Sequence, residues 1–480
     1  MKMVEYNKIN SNGHFIAIVV IVVIGVLIQF RFMNEFPAYI HAWAQDDRYA
    51  IAVGFLGNGF DLFHPETMIY NKQFPDWWQT ASDSTITAVD FPIHEYVVAV
   101  LMRIFGTSSP IVFRMWTLIC SFIGLFFLYN IGYQITNDWI KSTFLTVIAM
   151  TAPVYAYYFN GFLPGIPAFA FGLVGLWAYL RYVKTNSLRY FHIGVGFVTL
   201  SMLMRTTFAI EFVAILCFET LRIFRKESKF FDKLPSVIMS VAVFTAYFLW
   251  NTHLRREYGS LFLSELLPAA NLEEAKEIIS DTKKNWEFQY FQKTQYHIFI
   301  VLFAIAVWSW IHGIFKHRTN GNHEKTRHKT HLIWLPLIYI FGCFLFTIAM
   351  MRQLTNHDYY FIDTFFMPIL LLFALFLGSF PKSNGFKSAI ISLVIFGAIS
   401  TFMVSKVQET QVSRRNSNDR AYRSYLNFVD SDKFLDSLGV PADAKILSLY
   451  SYPQNGSFIQ MHRKGYTIME LHKKMWLKHQ

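Results

Sequence analysis

FIAIVVIVVIGVLIQFRF, Phe15 to Phe32, decides the fold: eighteen residues with one charge, Arg31, close to the end. As a helix this run rises about 27 Å, near the ~30 Å thickness of a bilayer's hydrocarbon. Lipid leaves a spanning backbone only two solutions, helix or closed barrel, and the run has no period-two alternation, so it predicts a helix. No small-residue cleavage site follows it, and it reads as a retained span. Comparable runs recur at about 111–133, 143–159, 166–183, 191–207, 208–224, 235–252, 296–315, 333–351, 362–380 and 387–405, making eleven expected helices. The whole chain agrees: of 480 residues, 54% are hydrophobic, 18% aromatic and only 16% charged, against about 25% charged in soluble domains.

Lys and Arg in the short loops set the orientation. With the N-terminus inside, the inner loops carry Lys141, the Arg181, Lys184 and Arg189 group, and the segments LRIFRKESKFFDK, FKHRTNGNHEKTRHK and PKSNGFK. The short outer turns APVYAYYFNGFLPG and MRQLTNHDYYFID hold one cation, Arg352. An odd helix count then puts residues 406–480 outside, although Arg414 and Arg415 run against the bias. The net charge of +11 reports basic loops beside anionic lipid; it does not point to nucleic acid. Cys120, Cys217 and Cys343 all fall in expected spans, so they form neither a disulfide framework nor a zinc spacing.

Three long segments fall outside on this reading: about 33–110, 253–295 and 406–480. In the first, residues 40–56 are helix-compatible and GNG at 57–59 stops them. Trp43 and Tyr49 suit a helix lying along the headgroups, which would hold Asp46 and Asp47 at the outer rim. The second carries LEEAKEIISDTKKNWEFQYF, an amphipathic flap. In the third, YLNFVDSDKFLDSLGV reads as a helix, AKILSLYS as a strand and SYPQNGS as a turn, giving a small α/β cap. The domains are therefore 1–405 within the membrane, including the first loop 33–110, and 406–480 outside.

The acidic residues carry two readings each. Asp46 and Asp47 beside Arg48 are an ion-paired helix face, or a carboxylate fixed against a substrate hydroxyl as a general base. Asp90, His94 and Glu95 around Pro92 favour a helix N-terminus, or bind substrate or a divalent metal ion without a diagnostic ligand spacing. His357, Asp358 and Asp363 in a short outer turn are ionisable residues costly near lipid unless used or paired; with Tyr359 and Tyr360 the turn anchors the interface, or binds substrate.

These elements come in a familiar order. DDRYAIAVGFLGNGFDLFHPE (46–66), VDFPIHEYVVAVLMRIFGTSSPIVFRMW (89–116) with Arg114 opening a helix, LSMLMRTTFAIEF (200–212) and HDYYFID (357–363) resemble the GT-C membrane glycosyltransferases. The similar branch contains the protein O-mannosyltransferases and lipid A aminoarabinose transferases, glycosyltransferase family 39. Two departures stand out: Pro92-Ile93-His94 replaces the usual Pro-Pro-Leu, and the acidic pair lies one residue closer to its tyrosine. The resemblance implies an α-helical multi-pass inner-membrane protein of GT-C type, about 11 transmembrane helices with a long first outer loop and the C-terminal cap. It implies inverting transfer of a sugar from a polyprenyl-phosphate donor to an acceptor hydroxyl on a glycan, lipid or protein, on the extracytoplasmic face. Asp46 or Asp47 would be the base and Arg48 and Arg205 would meet the donor phosphate; Asp90 would match a second acid, which in some members helps hold a metal. Arg352 and His357, in the outer turn, join the expected phosphate contacts. The rival expectation is a transporter or lipid flippase, which calls for ionisable residues near mid-membrane rather than at helix ends; a polysaccharide polymerase or ligase calls for its large outer loop late in the chain.

Overall fold

Each of the eleven expected runs falls on a helix in the computed structural model, whose described residues are 2–76, 80–262, 265–317, 331–380, 386–415 and 418–469. The basic segment 318–330 and most of PKSNGFK lie outside the described residues. In chain order the helices are α1 (Lys2–Gln29), α2 (Ala42–Gly57), α3 (Ile93–Phe105), α4 (Pro110–Thr136), α5 (Trp139–Thr151), α6 (Pro153–Tyr158), α7 (Gly165–Thr185), α8 (Leu188–Met204) and α9 (Ala209–Phe224). They continue with α10 (Leu234–Tyr258), α11 (Leu272–Tyr290), α12 (Lys293–His317), α13 (Trp334–Ala349), α14 (Met367–Ser379) and α15 (Phe386–Ser413). Among the described residues six helices are long and apolar enough to cross a membrane and four more are shorter and apolar. The remaining run, 208–224, is a 16-residue helix, α9, that buries Glu211 and Glu219. The run 143–159 is split into α5 and α6 by Pro153, which has no N–H to continue the helix.

The bundle centres on α7, which packs along α4 and α8 and is buried over most of its length. A π-turn, Ile362–Phe366, leads into α14 and buries Asp363 beside it. Such bulges inside helices collect at functional places.

The expected surface position of α2 is overturned. Gln45 through Ala52, with Ala42, Gly54 and Phe55, are all buried, because two segments close over the helix. One is the first-loop stretch around Glu66–Ile69. Gly54 makes room for it: a methyl group there would collide with the Glu66 carbonyl. The other is the C-terminal segment, comprising α16 (Arg420–Phe428), α17 (Ser431–Ser437), β1 (Ile446–Leu449), α18 (Gly456–Met461) and β2 (Gly465–Ile468). The expected strand is β1, paired in parallel with β2 from Ile446↔Gly465 to Leu449↔Ile468. The helix expected over 425–440 is instead two short ones, broken at Asp430, whose φ is 58°. The proposed boundary at 405 falls inside α15, which runs on to Ser413.

The C-terminal segment is stitched to the first loop by backbone and side chains alike. Gly465 N–H donates to Met68 O at 3.1 Å and Tyr70 N–H to Gly465 O at 2.7 Å. Arg415 pairs with Glu35 at 2.9 Å. Both long segments therefore sit at one end of the bundle. Gly54→Ala should destabilise the protein by about 1–3 kcal/mol through overpacking against Glu66. Gly57→Ala, which has nothing within 4 Å of the added carbon, should stabilise it by roughly 0.4–1 kcal/mol. Thermal unfolding of the two variants in lipid nanodiscs checks the opposite signs.

Candidate active site

Successive helix positions point about 100° apart, so Asp46, Asp47 and Arg48 face three directions from α2. All three are at most 4% exposed. Arg48 points at the start of α3: its Nη1 donates to Glu95 Oε1 at 3.0 Å and its Nη2 lies 3.6 Å from Asp90 Oδ2. The same Asp90 oxygen is 3.7 Å from Arg205 Nη1. Arg205 caps the end of α8, and its Nε donates to Asp363 Oδ2 at 2.6 Å. Two guanidiniums thus converge on one carboxylate, with Tyr360 and Tyr359 rings 5.3 and 5.7 Å from Arg205.

Arg48 and Arg205 line a small cavity together with Tyr158, Phe262, Tyr359 and Asp363. Its floor is Leu163–Ile166, the start of α7, where unpaired N–H groups and the helix dipole favour an anion. Phe262 lies flat against Arg48, its ring centre 4.1 Å from the guanidinium carbon. Arg48 Nε is buried without an acceptor.

Asp47 turns toward the C-terminal segment. Asn455 Nδ2 donates to Asp47 Oδ1 at 2.8 Å, while Asn455 Oδ1 accepts from Met68 N–H at 3.2 Å and Thr67 Oγ1 at 3.3 Å. The backbone donor fixes which way the amide points, so its NH2 must face the carboxylate. Burial pushes the Asp47 carboxyl up to about 7, held from rising further by Asn455, Arg48 and Trp43. Asp46 faces away, into a cleft beneath the C-terminal segment. Burial, then the neighbouring Asp47 charge, raises its carboxyl well above the usual range.

The other expected residues divide. Glu95 and Asp90 belong to the arginine network, and burial raises Glu95. His94 is buried with Nδ1 accepting from Trp116 Nε1 at 3.1 Å, and burial lowers it to about 3, leaving it neutral. Tyr359 lines the cavity but Asp358 does not: it pairs with Arg414, accepts from Tyr158 hydroxyl at 2.8 Å, and lies 3.0 Å from His41 Nε2. Burial alone would raise Asp358, yet Arg414 and His41 hold it below the usual carboxylate range. His357 is outside the cavity lining, stacked 5.5 Å from His41 and donating from Nδ1 to Gln353 O at 3.0 Å; burial lowers it to about 4. Arg352 is not brought to the cavity either. Its guanidinium forks onto Glu274 at 2.6 and 3.0 Å, fastening the α11 flap.

The metal expectation fails a fit test on the residues present. Asp90 sits between two guanidiniums, Glu95 is engaged by Arg48, and His94 Nδ1 is taken by Trp116, so each candidate ligand already has a partner. Among the described residues no three His, Cys, Asp or Glu side chains are grouped to hold a metal ion. Sequence reasoning gave no role to Asn455, Phe262, Tyr158, His41 or Arg414. Asp363 was singled out with its turn, though not as a partner of Arg205, whereas Asn455 was one residue of an ordinary turn sequence with no signal of its own.

Over residues 90–250, a third of the chain, the sequence matches the family described as dolichyl-phosphate-mannose-protein mannosyltransferase. No curated protein matches the chain significantly. Among solved structures, the apo oligosaccharyltransferase of Archaeoglobus fulgidus is similar over 95% of this chain and 64% of its own, with 11% identity and a TM-score of 0.51. The chain thus spans under two thirds of that protein's length. ArnT from Cupriavidus metallidurans bound to undecaprenyl phosphate is similar over 95% of this chain and 87% of its own, at 9% identity and a TM-score of 0.47. This chain is a helical membrane protein that resembles the GT-C glycosyltransferases in sequence and fold.

The paired turn separates structural from surface charge. Arg414→Ala strands the fully buried Asp358 carboxylate and should cost about 3–5 kcal/mol, whereas Arg352→Ala breaks a solvent-exposed pair and should leave the unfolding temperature where it was. Thermal denaturation followed by tryptophan fluorescence compares them.

Proposed function

We propose that the chain is an inverting glycosyltransferase of the inner membrane that takes its sugar from a polyprenyl-phosphate donor on the extracytoplasmic face. The observation that carries this reading is the cavity where Arg48 and Arg205 meet over the start of α7, with Arg48 Nε lacking an acceptor. Its chemistry suits a phosphate oxyanion, since guanidinium forks bind two oxygens at once and the helix end adds N–H donors. The family matched over 90–250 is described by a dolichyl-phosphate-mannose donor, and that match contains Asp90, Glu95 and Arg205 but not the acidic pair.

In the proposed step an acceptor hydroxyl oxygen attacks the anomeric carbon as the bond from that carbon to the phosphate oxygen breaks. The electron pair leaves on the polyprenyl phosphate, where Arg48 and Arg205 stabilise it. The hydroxyl proton passes to Asp47. Asp47 is favoured over Asp46 because a carboxyl near 7 is partly ionised at neutral pH and is a stronger base than an ordinary aspartate, and because it alone of the pair has an amide donor, Asn455, to hold it in place.

Only ionised Asp47 can accept the proton, so turnover should rise with pH through about 7. Asp47→Asn should remove that limb and lower turnover by at least ~10²-fold. Asn455→Ala deletes the donor that stabilises the ionised form and should move the limb to higher pH by about one unit, the scale of a hydrogen bond to a charged group. The measurement is transfer by purified protein from a panel of polyprenyl-phosphate sugars between pH 5 and 9. Full activity of Asp47→Asn removes it as the base, and failure of every donor removes the reading. For the orientation, a phosphatase reporter fused after Met469 should be active, and a cytoplasmic signal reverses the sidedness.

A further inference from the structure

The end of the bundle opposite the cavity carries a second concentration of charge, which the transfer step does not use. α7 begins at the cavity and ends at Thr185; α8 begins at Leu188 and returns to Arg205. The 21 residues of α7, at 1.5 Å each, set the α7–α8 turn about 30 Å from the cavity. Beside it lies the turn between α9 and α10, and one buried carboxylate knits the two together. Glu219 accepts from Arg222 Nη1 at 3.0 Å and from the Tyr179 and Tyr182 hydroxyls at 2.9 and 3.0 Å, and it lies 3.2 Å from Lys233 Nζ. Arg222 Nη2 reaches across to Asn186 Oδ1 at 3.3 Å, and Ser228 Oγ lies 2.9 Å from the Tyr182 hydroxyl. The buried cations Arg222 and Lys233 are thus compensated, as buried charges must be.

The exposed cations are not. Lys184 and Arg189 flank Asn186, and Lys226 and Lys229 flank Ser228, so the contacts that join the turns gather these four residues at one corner. All four are exposed, and none has an acidic partner among the described residues. Of the acids in the α9–α10 turn, Glu227 lies 3.8 Å from Arg222 Nε, which leaves the single charge of Asp232. Such a cluster is a standing attraction for an anion.

Three aromatic rings bound the same corner. Phe224, the last residue of α9, is 79% exposed, and Phe230 and Phe231, just before α10, are 52% and 79% exposed. Apolar surface of this size is costly in water, but the boundary between headgroups and acyl chains accepts it, beside cations that reach the headgroup phosphates. A free anion would answer the charges alone. A lipid answers both features. A zwitterionic headgroup would bring its own ammonium into a cationic corner, so the match is a phospholipid whose headgroup carries no cation.

We propose that this corner binds the phosphate of an anionic phospholipid through Lys184, Arg189, Lys226 and Lys229, with the three phenylalanines set among its acyl chains. The site is separate from the cavity and does not depend on the transferase reading.

The test is native mass spectrometry of the full-length protein, delipidated in a neutral detergent and titrated with phosphatidylglycerol or phosphatidylcholine. The parent should bind phosphatidylglycerol about tenfold more tightly than phosphatidylcholine. Removing two cations, by Lys226→Ala with Lys229→Ala or by Lys184→Ala with Arg189→Ala, should weaken phosphatidylglycerol binding on the order of tenfold. Both double variants should leave phosphatidylcholine binding and the unfolding temperature unchanged. Lys226→Arg with Lys229→Arg, which keeps the charge, should bind as the parent does. Lys387→Ala, which removes an exposed cation near the start of α15, should also bind as the parent does. Equal affinity of the parent for the two lipids, or undiminished phosphatidylglycerol binding by both double alanine variants, overturns the site. So does an equal loss in Lys387→Ala, which would show diffuse attraction, or full displacement of the lipid by millimolar glycerol 3-phosphate, which would show a site for free phosphate.

Discussion

Burial of three consecutive charged residues on one helix constrains everything around it. Asp46, Asp47 and Arg48 point in directions about 100° apart, so no single partner can serve them. Each must be met by a different part of the chain or be left at a cost. Arg48 draws in the start of α3 through Glu95 and Asp90. Asp47 draws in the C-terminal segment through Asn455, more than four hundred residues away in sequence. The first-loop stretch at Thr67 and Met68 is then fixed by the same Asn455 amide. The packing of distant segments at one end of the bundle follows from satisfying α2.

The two adjacent acids cannot both be charged cheaply in such a place, since like charges at close range oppose ionisation. The surroundings resolve this unequally. Asp47 receives an amide donor and has a guanidinium next along the chain, which offset part of its burial. Asp46 receives neither, and burial beside the Asp47 charge raises its carboxyl well above the usual range. Two identical side chains one position apart thereby meet different partners, one held by an amide and one without such a donor. Sequence adjacency says nothing of this, because the difference lies in what packs against each face.

The membrane helices were legible in the sequence because lipid enforces them: continuous apolar runs have no other backbone solution. The helix over 42–57 and its stop at GNG were legible from local chemistry, as were β1 and the α11 flap. The depth of α2 was not. Trp43 and Tyr49 fit an interface equally well until the segments that cover them are known, and those segments come from residues 66–69 and 455–460. Arg48, Arg205 and Asp90 stood out because charged residues near lipid are rare enough to be informative, and they lie together in one network. Arg352 and His357 met the same criterion but lie outside the cavity lining: charge near a helix end reveals cost, and only packing tells whether a partner such as Glu274 or Gln353 has already met it. Asn455 was invisible because an asparagine in a turn has a sufficient local explanation.

The charge balance of the cavity shows how the proposed donor would be accommodated. Two guanidiniums walled in by Phe262, Tyr359 and Tyr360 need counter-charge when nothing is bound, and Asp90 and Asp363 supply it. Asp90 holds both arginines only loosely, at 3.6 and 3.7 Å, whereas Asp363 grips Arg205 Nε at 2.6 Å. On the proposed reading, a phosphate entering over the start of α7 would take the guanidinium edges that Asp90 barely engages, without breaking the Asp363 contact that orients Arg205. On this reading Asp363 positions the arginine, and Asp90 is the placeholder that a stronger anion displaces.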